Sequence, residues 1–68
     1  MSRVLEKLDR VLELLSERER TLKELKAETS LSDETLNLVI DFFVAHDFAA
    51  REDNHIRLTD RGRKFLEL

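Results

Sequence analysis

The chain has 68 residues, a formal net charge of −3 and no cysteine, proline, tryptophan or glutamine. That length implies a single domain that buries about 60% of its unfolded surface and is marginal by itself. Disulfides are excluded, and two histidines, His46 and His55, do not by themselves make a structural zinc site. No run of about 18 apolar residues and no apolar N-terminal signal region is present, so the reading is a soluble, cytoplasmic protein. Charged residues make up 40% of the chain. That composition is compatible with a thermophilic source, and equally with any short, charge-rich helical protein.

Residues 3–16 read as an amphipathic first helix. Val4, Leu8, Val11 and Leu15 fall on one stripe, with Leu5 and Leu12 beside it and Leu14 outside it. The stripe is wide for a domain this small. Its surplus points either to a subunit interface through Leu5 and Leu12 or to a core helix wrapped by its own chain. Leu5, Leu8, Leu12 and Leu15 match a heptad spacing, but two heptads are too few for a coiled coil.

Residues 17–20 form a charged connector. Thr21-Leu22-Lys23-Glu24 is a capping box that opens a short helix over 21–29, anchored by Leu22 and Leu25. Ser32 then caps a helix over 32–46, with Asp33 and Glu34 at the positive end of its dipole. Leu36, Val39, Ile40, Phe43 and Val44 recur at helical spacing and mark one face. So short a connection forces the two helices to cross steeply, which is helix-turn-helix geometry.

Residues 48–58 read as a β-hairpin around Glu52-Asp53-Asn54-His55, because Asp-Asn suits a turn and Ile56 and Leu58 alternate as on a half-buried strand. Thr59 caps a last helix over 60–68, with Phe65, Leu66 and Leu68 as its apolar side. Gly62, the only glycine, permits close approach of a neighbour. Met1 and the helix end at Leu68 fit a complete chain.

The charge is unevenly placed. Residues 31–47 carry Asp33, Glu34, Asp41 and Asp47 and no base, whereas residues 48–68 carry five bases against four acids.

The order helix, helix, helix, hairpin, helix, in a mainly α chain with a small β-hairpin, is that of a winged helix-turn-helix. The segment LKELKAETSLSDETLNLVIDFF resembles the helix-turn-helix of bacterial and archaeal winged-helix transcription regulators. Leu22, Leu25, Leu31, Ser32, Thr35, Leu36, Ile40 and Phe43 stand at its core and capping positions. The segment AHDFAAREDNHIRLTDRGRKFLEL resembles the wing and following helix of small archaeal regulators, where a Leu-Thr-x-x-Gly motif closes the wing; here that motif is Leu58, Thr59 and Gly62. The resemblance implies a dimeric regulator binding double-stranded DNA. Thr35 and Asn37 would sit on the inserted helix, Lys23 and Lys26 beside it, and Arg51, His55 and Arg57 on the wing.

The pattern departs from the family where DNA would be read. The outer positions of the 32–46 helix hold Leu38 and Phe42, four apart and so on one patch, extended by Ala45 and flanked by Glu34 and Asp41. Duplex binding draws on cations that neutralise phosphates, and four carboxylates oppose it. Apolar anchors ringed by charge fit a protein interface, so a protein partner at Leu38 and Phe42 is the second reading. Phe42 folded back onto the core or the wing is the alternative. His46 reads as a helix C-cap and His55 as solvated. No nucleophile or acid–base cluster points to catalysis, and no cofactor or metal is expected.

Overall fold

The computed structural model describes residues 3–67, with side chains from Glu6 onward. In chain order the elements are α1 (Arg3–Glu17), β1 (Arg20–Thr21), α2 (Leu22–Thr29), α3 (Asp33–Ala45), β2 (Ala49–Glu52), β3 (His55–Leu58) and α4 (Asp60–Glu67). The described residues are mainly helical, with a small antiparallel sheet of three strands in the order β1-β3-β2.

The caps start the helices where the sequence signals them. The Thr21 hydroxyl accepts from the Glu24 amide at 3.1 Å, while a Glu24 carboxylate oxygen accepts from the Thr21 amide at 2.9 Å. Ser32 accepts from the Thr35 amide at 3.2 Å, and Thr59 from the Gly62 amide at 3.1 Å. α3 ends in a left-handed residue, Asp47, with φ of 61°. Its amide donates to the Val44 carbonyl, and the Phe48 amide donates to that of Phe43 at 2.8 Å. This is a Schellman closure with aspartate in the place that usually favours glycine.

The core lies between α1, α3 and the sheet. Val11, Leu12, Leu14, Leu15, Leu25, Leu31, Leu36, Val39, Ile40, Phe43, Ala49, Ile56 and Leu58 are all buried. α1 is wide-striped because the chain covers it from several sides, by α2, by β3 and by α4. Leu12 is only 2% exposed, so it is no anchor for a second subunit, and Leu14, placed off the stripe by the sequence, is also core. The side chain of Leu5 lies outside the described residues. Val44, assigned to the inner face of α3, is exposed. It sits at the edge of the stripe, next to the last residue of α3.

The charged connector conceals a strand. Arg20 pairs with Ile56 and Thr21 with His55, and the Leu22 amide donates to the Asn54 carbonyl at 2.8 Å. Two residues with no apolar alternation carry no strand signal; pairing with β3 makes them one. Arg20 is the buried charge of the fold, 4% exposed. Its guanidinium donates to Glu28 at 2.8 Å, to Glu17 at 3.1 Å and to the Leu14 carbonyl. The hydrogen bond with Glu28, and then that with Glu17, raise its pKa against the lowering effect of burial.

Gly62 closes α4 onto the hairpin. A Cβ there would lie 2.1 Å from the Phe48 carbonyl oxygen and 2.8 Å from Leu58 Cδ1. The Thr59 hydroxyl donates to the Asp47 carbonyl at 2.5 Å and the Thr59 amide to that of Phe48 at 3.0 Å. The end of α3 and the start of α4 are thereby tied side by side.

Candidate interaction surface

Burial of Leu36, Val39, Ile40 and Phe43 turns the opposite side of α3 to solvent. That side presents Leu38, 65% exposed, and Phe42, 47% exposed. Phe42 rests one ring edge on Phe43, with centroids 5.9 Å apart at 61°, and does not fold into the core. Glu34 and Asp41 flank the pair, and Ala45 continues it; all three are exposed.

The patch does not stop at α3. The His46 ring lies 4.4 Å from that of Phe42 and 5.9 Å from that of Phe48, and Phe48 stacks on Phe65 at 4.8 Å and 27°. The Arg61 guanidinium carbon stands 5.9 Å from the Phe48 ring centre. An aromatic band thus runs from α3 across the α3–β2 turn to α4. The His46 backbone does cap α3, donating to the Phe42 carbonyl at 3.1 Å, but its side chain is a link in the band. Phe65 and Leu66, read as the apolar side of the last helix, are 47% and 41% exposed. Gly62 presses against Phe48 and Leu58, and Phe65 and Leu66 stand one turn further along the same face of α4. The spacing of Phe42 and His46 carried a signal for the band; that of Phe48 and Phe65 did not, since only the Asp47–Thr59 tie juxtaposes them.

The residues expected to contact DNA fall into separate groups. Lys23, Lys26 and His55 line an open cleft between the start of α2 and the hairpin turn, together with Asp33 and Asp53. Lys26 pairs with Asp33 at 2.9 Å, and His55 with Glu19 at 2.8 Å, so His55 is a partner of β1's approach and not merely solvated. Thr35 is engaged in capping, its hydroxyl 3.0 Å from that of Ser32. Asn37 donates to the Asp33 carbonyl at 2.8 Å and accepts from Arg51 at 3.4 Å, and Arg51 also approaches Asp41 at 3.9 Å. Arg57 lies 4.0 Å from Glu52. β-register separates the hairpin bases further. Arg51 stands opposite Ile56, so it leaves the sheet on the face opposite to His55 and Arg57. Lys23, Arg61, Arg63 and Lys64 form no ion pair among the described residues; of these, only Lys23 belongs to the expected set.

No family model matches the chain, and no solved structure matches it. A protein of Archaeoglobus fulgidus, described as uncharacterized, is 30% identical over 66 residues, covering 97% of this chain and 74% of that one. The chain belongs to the family of this archaeal protein. The match takes in nearly the whole of this chain.

Among the described residues no group of histidines and carboxylates is placed to hold a metal ion, and no helix is long and apolar enough to cross a membrane. What the surface offers is an apolar and aromatic band with carboxylates at one end and, at the other, bases that hold no ion pair among the described residues.

Proposed function

We propose that this chain is a winged-helix module that docks a protein through the outer face of α3. The element order of α2, α3, hairpin and α4, and the resemblance of Leu58, Thr59 and Gly62 to the motif that closes the wing in small archaeal regulators, support the winged-helix part of this reading. The exposed Leu38–Phe42 pair, flanked by Glu34 and Asp41 on a segment without one base, carries the reading. The core of a protein interface is enriched in aromatic side chains and depleted of charge, with polar groups at its rim. A groove-reading helix instead needs cations and polar side chains at the same positions. No catalytic step enters this reading.

The second reading is duplex DNA. Lys23 and the bases of α4 favour it because they hold no ion pair among the described residues, and the other ion pairs cost little to open, since exposed pairs are worth about 0–1 kcal/mol each. Titration of the isotope-labelled protein with a short random duplex at low salt separates the two. The expected result is no shift of the α3 and hairpin amides. Salt-sensitive shifts there, weakened and made less salt-dependent by Arg57→Ala, would overturn protein docking in favour of DNA.

A further inference from the structure

Resting on the protein-docking reading, we propose that the docking partner is a second copy of this chain, laid across the aromatic band about a two-fold axis near His46. The band is contiguous from Leu38 through Phe42, His46 and Phe48 to Phe65. Its two ends carry opposite charge. Glu34 and Asp41 border the Leu38 end. Arg61, one turn before Phe65, and Lys64, its neighbour in sequence, line the shallow pocket Phe65 makes with Phe48 and border the other end; neither base pairs with a carboxylate among the described residues. Glu34 is likewise without an ion pair among them, and Asp41 holds only the long contact to Arg51.

This polarity selects the partner. A polyanion or an anionic membrane meets repulsion at the Leu38 end, and a uniformly basic surface meets it at the Phe65 end. The partner must be apolar in the middle, basic where this chain is acidic and acidic where it is basic. A second copy turned by a two-fold axis meets all three conditions, because the axis sets the Leu38 end of one protomer on the Phe65 end of the other. It also covers, on a domain of marginal size, exposed leucine and phenylalanine that the chain leaves in water. This interface differs from one through α1, whose Leu12 is consumed by the core.

Sedimentation equilibrium of the full chain over a wide concentration range tests the proposal. A monomer–dimer equilibrium is expected, with Phe42→Glu raising the dissociation constant by about 30-fold or more, the effect of losing a central anchor, while the circular dichroism spectrum keeps its helical signal. Charge reversal then identifies the geometry. R61E/K64E and E34K/D41K should each be monomeric alone, since each sets like charges together, and should dimerise when mixed. A wild-type monomer at every concentration overturns the inference, as does a dimer indifferent to Phe42→Glu or a mixture that stays monomeric. The duplex titration separates the two failures. Without DNA shifts, protein docking stands with a different partner; with them, both readings fall.

Discussion

Arg20 Nε donates to Glu28 Oε2 across 2.8 Å with the arginine side chain 5% exposed, so an ion pair sealed on one side fastens β1 to α2. Further guanidinium bonds go to Glu17 and the Leu14 carbonyl, at the end of α1, to the Arg18 carbonyl and to the second Glu28 oxygen. One side chain therefore joins three elements. Removing Glu28 leaves a desolvated cation short of an acceptor, which costs more than the pair itself contributes. Glu28→Ala is expected to destabilise by about 1–3 kcal/mol. Lys26→Ala, which breaks only the exposed pair with Asp33, is expected to cost within about 0.5 kcal/mol. Urea denaturation of the two variants checks the contrast. Equal losses would mean that the Arg20 cluster is no stronger than a surface pair.

Gly62→Ala sets helix propensity against packing. Alanine is favoured over glycine in a helix by about 1 kcal/mol. The added methyl, however, would meet the Phe48 carbonyl oxygen at 2.1 Å and Leu58 Cδ1 at 2.8 Å. The leucine end can turn aside, but the carbonyl is backbone and is held by the Thr59 amide. Sterics therefore win, with a net loss of about 1–3 kcal/mol and a displaced α4. Thermal unfolding measures the sign, and a raised melting temperature would show that α4 is not pressed against the hairpin as described.

Asp47 is the opposite case, where two small effects agree. Its φ of 61° costs a residue with a Cβ, and its carboxylate stands at the negative end of α3. Its backbone, not its side chain, makes the contacts with Val44 and Thr59. Asp47→Gly is expected to stabilise by about 1 kcal/mol, raising the melting temperature by about 4–8 °C in a domain this small. A drop would assign the carboxylate a structural role.

Glu24 links stability to pH. The hydrogen bond from the Thr21 amide, and then that from Arg18, hold its carboxyl below the ordinary glutamate range. On acidification the unfolded chain takes up this proton before the folded one does. The contribution is therefore full above the unfolded pKa and is lost as pH falls through the lower, folded value. Glu24→Gln keeps an acceptor for Thr21 but has no proton to gain. It should be less stable than the wild type at neutral pH and draw level in strong acid. Thermal unfolding across that range shows the convergence; a gap that does not change with pH would remove Glu24 from the acid sensitivity.

Local chemistry was legible in the sequence, and tertiary juxtaposition was not. The hydroxyls of Thr21, Ser32 and Thr59 announced helix starts because capping is settled within four residues. Ile56 and Leu58 announced a strand because alternation is local. β1 was silent, since Arg20 and Thr21 become a strand only through β3. Arg20 read only as part of a charged connector because its acceptors on Leu14 and Glu28 are assembled by folding. The Leu38–Phe42 patch was visible at helical spacing. Its continuation through Phe48 and Phe65 was hidden, because the Asp47–Thr59 tie that joins them has no signature along the chain. Among the expected DNA-contact residues, Arg51 was set on the opposite face from His55 and Arg57 by the hairpin register, a feature that residue type alone does not fix.

Phe42 and Phe43 are neighbours in sequence with opposite duties, which gives the sharpest test of the α3 surface. Phe43 is 2% exposed and packs in the core, whereas Phe42 is 47% exposed and only edges onto it. Truncating a buried phenylalanine removes its transfer free energy and leaves a cavity, about 3–5 kcal/mol, close to the whole stability of many small domains. Phe43→Ala is thus expected to leave the chain largely unfolded. Phe42→Ala loses the contacts to Phe43 and His46 but opens no cavity, so a monomer should pay about 1 kcal/mol or less. Loss of any docking function in Phe42→Ala would then be a surface effect and not unfolding. Measured at low protein concentration, where a docked copy adds no stability, similar losses in both variants would place Phe42 in the core and remove the α3 face from consideration.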